Sequence, residues 1–396
     1  MSKLGLIIIA TIISFGASLA VYPYLLKFAR KHNIVDNPNA RKLQRHPVPV
    51  FGGPAVWFGF LAGFSYLLFY LHSNNMIVTV VAMTMLLLVG IIDDNYNLSP
   101  ALRFLIEIAV IWAIIAIGKR YVDDFHGLWG LDMIPTSVSI PLSLIAGVGI
   151  INAINLMDGV DGLSSGFGIF ASLIFAVFQY KAGSYSTAYL AMCMAGALLP
   201  FFLHNVFGRK SKMFIGDGGT LMLGTVLTML VFNILYHNAY GNKFEQFNLG
   251  LIPFTLAVMA IPVFDTIRVM GMRILRKQSP FNADKTHLHH LFIDMRYSHI
   301  GTTVSILLMN FLIVLVWFIS WRLGASIDWQ LYFVIICGVL STFVFYKFMR
   351  WHERRETRFF YWFCALGRKT HIARTGFWKF MMNFMDWGRG YDKMED

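Results

Sequence analysis

Eleven apolar stretches, each close to the thickness of a lipid bilayer, constrain this chain more than any other feature. They run roughly over 4–26, 51–71, 76–92, 101–118, 140–157, 164–180, 186–204, 218–236, 249–269, 301–321 and 330–349. A helix needs about 20 apolar residues to cross the hydrocarbon core. None of these stretches alternates as a barrel strand does. The expected fold is therefore an all-α polytopic membrane protein of about 11 transmembrane helices. Composition agrees, with 57% hydrophobic and 14% charged residues, where a soluble domain carries about 25% charged. The first stretch is too long for the apolar core of a secretory signal and continues to Leu26, so it reads as a span. Cys193, Cys337 and Cys364 lie far apart and form no CxxC pair. They read as apolar fillers rather than a disulfide framework or a zinc site.

A net charge of +12 suits nucleic acid, anionic lipid or a positive-inside membrane protein equally well. The placement of the charges decides. With the N-terminus outside, the loops at 27–50, 93–100, 158–163, 205–217, 270–300 and 350–396 all lie inside. All but six of the 33 Lys and Arg then fall on the inner side, the exceptions being Lys3, Lys119, Arg120, Lys181, Lys243 and Arg322. That bias sets the expected orientation as N-out, C-in. It also accounts for the basic charge without nucleic acid as a partner. The outer loop 119–139, with Tyr121, Trp129 and two glycines, is expected to form a short hairpin. The tail 351–396 is basic and aromatic (Arg354, Arg355, Arg358, Phe359, Phe360, Tyr361, Trp362). It is expected to lie as a helix on an anionic inner leaflet, the plainer alternative being an ordinary positive-inside tail.

The acids are not scattered. Asp93, Asp94, Asp158, Asp161, Asp217, Asp265 and Asp284 all fall at inner helix ends or in inner loops. Asp93 and Asp94 end an apolar helix in GIIDDNYNLSP, where the helix dipole disfavours anions. Adjacent carboxylates raise each other's pKa unless a cation is near. The pair therefore points to a cation or to proton handling rather than to a simple helix end. In NAINLMDGVDGLSSG, Asn152, Asn155, Asp158 and Asp161 recur every three residues, which places them on one face if the segment is helical. Such hard oxygens suit Mg²⁺ and hydrogen bonds to ribose or uracil. Gly159, Gly162 and Gly166 allow close backbone approach. A plain glycine-rich break, with Asp161 or Ser164 capping the next span, would not need all four polar residues.

Two further segments join these. In GRKSKMFIGDGGTLMLG, Asp217 stands among Gly216, Gly218 and Gly219 at the start of a helix, behind Arg209, Lys210 and Lys212. A helix N-terminus can cradle phosphate, and an acid there can cap the helix or hold a metal that bridges phosphates. Taken alone this loop is a weak signal. In PVFDTIRVMGMRILRKQSPFNADKTHLHHLF, His287, His289 and His290 sit among Arg268, Arg273, Arg276, Lys277 and Lys285. Zinc is one reading of such a cluster, but the spacing of a metalloprotease is missing. Histidines donating hydrogen bonds to a pyrophosphate is the stronger reading, since the acids resemble Mg²⁺ ligands.

The motifs VDNPNARKLQRHPVPVFGG (35–53), DDNYNLSP (93–100), NAINLMDGVDGL (152–163), GDGGT (216–220) and SPFNADKTHLHH (279–290) together resemble the polyprenyl-phosphate N-acetylhexosamine-1-phosphate transferases. Within that family the likeness is to the undecaprenyl-phosphate N-acetylglucosamine-1-phosphate transferases, on the His-x-His-His form above all, and it covers about residues 1–350. The resemblance implies a transmembrane transferase domain over 1–350 in a bacterial inner membrane, with a cytoplasmic active site. It implies UDP-N-acetylglucosamine or a related UDP-N-acetylhexosamine as donor, undecaprenyl phosphate as acceptor and Mg²⁺, or Mn²⁺ in its place, as cofactor. It is compatible with a homodimer. Carried over residue by residue, Asp217 resembles the principal metal ligand, with Asn155 assisting. Asp93 and Asp94 resemble the catalytic pair that deprotonates or orients the lipid phosphate. Asn152, Asp158 and Asp161 fall on the nucleotide side, and Phe214 stands where the family stacks uracil. His287, His289 and His290 resemble the cluster that meets the donor's phosphates, and Asp36 and Arg41 match the first inner loop. The chain departs from the family at Gln44 (often His), Arg103 (often Lys), Gly218 (often Ser), Lys285 (more often Arg) and across Gly208–Lys212, which bears on donor selectivity.

The expected reaction is direct displacement at phosphorus, with a covalent aspartyl-phosphate route through Asp93 or Asp94 as the alternative. A transporter would place polar residues at mid-span; here they cluster at span ends on one side. A CDP-alcohol phosphotransferase would need Ala-Arg after its first Asp-Gly, and Asp158-Gly-Val-Asp161-Gly-Leu lacks it.

Overall fold

The structure is a computed structural model that describes residues 2–37, 46–70, 74–279, 285–372 and 375–386. Arg41, Gln44 and Asp284 lie outside the described residues. Helix α1 (Lys3–Lys31) starts where the Ser2 hydroxyl accepts the Gly5 N–H. A two-stranded ribbon, β1 (Val35–Asp36) against β2 (Val48–Pro49), leads into α2 (Gly52–Tyr70). α3 (Asn74–Tyr96) is followed by α4 (Pro100–Gly118), which Ser99 caps and which opens on proline, the residue whose missing N–H costs least there. The expected hairpin is present as β3 (Asp124–Leu128) and β4 (Leu131–Met133). Then come α5 (Thr136–Leu156), α6 (Leu163–Ala182), α7 (Tyr185–Phe207) and α8 (Gly216–Ile234). α8 is the axis of the bundle: 89% of its span is buried, against 22% for α1.

Among the described residues nine helices are long and apolar enough to cross a membrane, or ten with one bent pair counted as a span. α2 occupies the second expected stretch as well. Their outward faces expose Ile12, Leu105 and Phe311 among others, as lipid contact requires. The protein is integral to a membrane.

The stretch expected as one span at 249–269 is instead broken. α9 (Leu251–Val258) and α10 (Ala260–Leu275) meet at 76°. Pro262 has no N–H for the Val258 carbonyl, so the ladder cannot continue there. Asn310 repairs the break. Its side-chain amide donates to Val258 O (2.9 Å) and its carbonyl oxygen accepts from Ile261 N (2.8 Å), while the residue is fully buried. Broken backbone at membrane depth persists where neighbouring helices satisfy it in this way. Asn310→Leu is expected to cost about 1–3 kcal/mol, since it orphans both groups. A clear fall in the thermal unfolding midpoint of the purified protein would show it.

α11 (Leu288–Asp294), α12 (His299–Arg322) and α13 (Ile327–Val339) follow, and a π turn over Leu340–Val344 leads into α14 (Phe345–Arg354). The tail then forms two helices, α15 (Arg358–Lys369) and α16 (Gly376–Met385). They do not lie apart from the body. Phe207 of α7 packs on Trp378 at 4.7 Å, and the Thr370 side chain takes the space beside Gly301 of α12.

A candidate active site at one end of the bundle

The ends of α1, α3 to α8 and α10 to α12 that meet on one side of the bundle surround a cleft of about 3200 Å³. Asp217 lines it from the first turn of α8. Its backbone N–H donates to both carboxylate oxygens of Asp94 (3.0 and 3.2 Å). The helix N-terminus expected to cradle phosphate therefore holds Asp94 of α3. Gly216, with φ at +74°, makes the turn, and a Cβ there would strike Asp94 Oδ2 at 2.6 Å. α8 approaches α3 and α2 backbone to backbone: a Cβ on Gly90 would stand 2.2 Å from Gly218 N, and one on Gly53 2.7 Å from Gly219.

The Asp217 carboxylate is 39% exposed to the cleft. Asn155 Nδ2 donates to it at 2.9 Å and to Thr220 Oγ1 at 2.8 Å. Arg103 donates to it at 3.4 Å and to Asp93 at 3.0 Å. Asp93 also accepts the Leu98 N–H (2.8 Å). Behind Arg103 stands Glu107, fully buried, 3.4 Å from its Nε and hydrogen-bonded by Asn152. The cation that the acid pair called for is thus met in part by Arg103. Among the described residues no three His, Cys, Asp or Glu groups converge as a closed metal cage. Mg²⁺ does not need one, since one or two carboxylates with substrate phosphates and waters suffice.

The four-residue stripe does not hold together as one face. α5 ends at Leu156, and Gly162 turns the chain with φ at +77°. Asn155 faces Asp217. Asn152 faces Glu107 and does not line the cleft. Asp158 accepts a 2.5 Å hydrogen bond from Ser164, and Asp161 pairs with Lys212 (2.6 Å) and His299 (2.9 Å). Neither Asp161 nor Ser164 caps α6; Gly162 stands at that position. Asp158 lines the cleft, where desolvation raises its pKa to about 7, with the charges of Asp217 and Asp161 adding to it and the Ser164 hydrogen bond opposing it. Asp161 goes the other way. Burial would raise it, but the His299 hydrogen bond and the charges of His299 and Lys212 prevail and keep it ionised.

The histidines split by role. His287 donates toward Asp265 (3.0 Å), which also binds Arg268 (2.6 Å). Asp265 is therefore an anchor that ties the histidine loop to α10. His289 packs so closely on Gly159 that a Cβ there would meet Nε2 at 2.0 Å. Burial, then the neighbouring His290 and His287, hold its pKa well below the usual imidazole value, so it is neutral. His290 lines the same wall. Asp36 reaches the cleft from β1, and Phe214 is held by a bridge to Val50, with Lys212 Nζ 5.6 Å from its ring centre.

Glu107, Ser164's bond to Asp158 and His299 were not foreseen as site residues. Glu107 carried a signal, an acid in the middle of an apolar span four residues after Arg103. His299 carried none, because its role depends on where α12 begins.

The sequence matches the profile of glycosyl transferase family 4 over residues 76–235, the stretch that runs from α3 through α8. A probable undecaprenyl-phosphate N-acetylglucosaminyl 1-phosphate transferase of Bacillus subtilis (strain 168) is 31% identical over 307 residues, 77% of this chain and 82% of that protein. The undecaprenyl-phosphate alpha-N-acetylglucosaminyl 1-phosphate transferase of Yersinia pestis is 27% identical over 349 residues, 87% and 92% of the two chains. The decaprenyl-phosphate N-acetylglucosaminephosphotransferase of Mycolicibacterium smegmatis is 30% identical over 312 residues, 73% and 75% of the two chains.

Proposed function

Because the chain belongs to glycosyl transferase family 4, among the polyprenyl-phosphate N-acetylhexosamine-1-phosphate transferases, we propose that it moves N-acetylglucosamine-1-phosphate from UDP-N-acetylglucosamine onto undecaprenyl phosphate and releases UMP. A related N-acetylhexosamine donor fits the same chemistry. The product is the first lipid-linked sugar of a cell-envelope glycan, such as a lipopolysaccharide side chain. The observation that carries the reading is the convergence of Asp93, Asp94, Asn155 and Asp217 from three helices in one cleft that His287, His289 and His290 also line.

The acceptor phosphate oxygen attacks the sugar-linked phosphorus of the donor. A new P–O bond forms, and the bond from that phosphorus to the bridging oxygen breaks as UMP departs. Both reactants are anions, so positioning and charge neutralisation do most of the work. Asp217, with Asn155 beside it, would hold Mg²⁺, or Mn²⁺, which neutralises the donor's phosphate charge when bound. Asp93 and Asp94 orient the acceptor phosphate or take its proton. Both are already engaged, Asp93 by Arg103 and Asp94 by the α8 backbone, which favours direct displacement over a phosphorylated aspartate. His290 and neutral His289 donate to the pyrophosphate, Phe214 offers a face for uracil, and Asp158, Asp161 and Asp36 line the nucleotide side.

The site is read as cytoplasmic. The reading counts α2 and the bent pair as spans and takes the N-terminus as outside and the C-terminus as inside, so that the basic loops and the cleft share the side where a nucleotide sugar is found. Membranes carrying the protein, given labelled UDP-sugars and undecaprenyl phosphate, are expected to yield a labelled lipid and UMP. EDTA is expected to stop both, and Mg²⁺ to restore them. Full turnover in EDTA rejects the metal-assisted reading. A labelled protein formed with donor alone would replace direct displacement with the covalent route.

A further inference from the structure

The loop 208–213 carries Lys212, which ion-pairs with Asp161 at the nucleotide side of the cleft. The bundle holds this loop by its carbonyls. Tyr22 donates to Ser211 O (2.8 Å), Arg30 to Lys210 O and Asn205 to Met213 O (3.0 Å). Its N–H groups face the tail. Arg209, Lys210 and Ser211 donate three successive backbone N–H groups to the carboxylate of Asp386, at 3.2, 3.1 and 2.8 Å. Consecutive N–H groups of this kind form an anion-binding nest, and here the anion comes from the end of α16. Burial alone would raise the Asp386 pKa, but the N–H bonds prevail and keep it ionised.

A second strap reaches the other partner of Asp161, His299. The Thr370 hydroxyl and carbonyl bind Ser298, whose own hydroxyl caps α12 one residue before His299. The two side chains that hold the Asp161 carboxylate each sit next to a residue tied to the tail: Lys212 after Ser211, His299 after Ser298. We propose that the C-terminal residues 370–372 and 375–386 are part of the donor site, with Asp386 as a positioning residue that sets Lys212, and Thr370 as its counterpart for His299. This rests on the transferase reading above. Lys212 held at Asp161 keeps that carboxylate ionised and aimed, and keeps a cation at the wall where the nucleotide phosphates lie.

The test uses the full chain. Asp386→Asn and Asp386→Ala are expected to raise the KM for UDP-N-acetylglucosamine by about tenfold, the scale of losing hydrogen bonds to a charged group. The KM for undecaprenyl phosphate and kcat are expected to stay within about twofold. Asp386→Glu is expected to recover part of the donor KM. Because Asp386 acts through Lys212, Asp386→Ala on top of Lys212→Ala is expected to add nothing. Hydrogen exchange gives a readout free of catalysis: the amides of 209–211 are expected to exchange faster in Asp386→Asn. Unchanged exchange overturns the strap, and unchanged donor KM, fully additive effects or an equal fall in all parameters overturns its role in the site. If the native chain shows the exchange change in Asp386→Asn but no transfer from any UDP-sugar, the strap stands and the transferase reading fails.

Discussion

Asp217→Asn is expected to lower kcat by about 10³-fold or more while leaving the protein folded, because it removes the one carboxylate on which the rest of the site converges. The change is nearly isosteric, and the α8 N–H groups that bind Asp94 are untouched by it. What goes is the negative charge that faces Asn155 and Arg103. The loss should sit in kcat, since the charge matters most where phosphate charge shifts in the transition state. Raised Mg²⁺ is expected to recover little activity, whereas an Asn155→Ala enzyme, which keeps the carboxylate, should recover more. Steady-state rates across a magnesium titration measure both. A variant at position 217 that turns over at the native rate would remove the metal from the proposed chemistry.

Gly90→Ala is expected to reduce transfer by about 10²-fold without replacing any side chain in the cleft. The added methyl would stand 2.2 Å from Gly218 N and 2.5 Å from the Asp217 carbonyl carbon. Those atoms are backbone and cannot swing aside, so α8 must back away from α3. A shift near 1 Å at a reacting centre costs about that factor, and overpacking adds about 1–3 kcal/mol of instability. Gly149→Ala is the control, because nothing lies within 4 Å of the position its Cβ would take. Activity per folded molecule, with the unfolding temperature measured alongside, separates displacement of the site from loss of protein. Equal activity in the two alanine variants would mean that the helix contact is softer than its geometry implies.

The membrane fold was legible because the bilayer imposes one length on every span, and that length is written as runs of apolar residues. The acids were legible because charge at the end of an apolar helix needs a reason. The contacts were harder to read. Asn152, Asn155, Asp158 and Asp161 look like one stripe on a helical template, but α5 stops at Leu156, and the four then point at Glu107, Asp217, Ser164 and Lys212. Spacing cannot tell where a helix stops when glycines allow it to stop in several places. The break at Pro262 was hidden for a similar reason: a proline is tolerated near the start of a helix, and the side chain that satisfies the broken ladder, Asn310, stands 48 residues away. The anchoring role of Asp265 was likewise invisible until the histidine loop folded back on α10.

That corner narrows what position 310 will accept. One fully buried side chain must offer a hydrogen to a carbonyl and a lone pair to an amide, at fixed reach. Aspartate has the lone pair without the hydrogen, leucine has neither, and serine is too short to span both. The asparagine there works like a two-pin plug, and every neighbour in the genetic alphabet lacks a pin or has one of the wrong length.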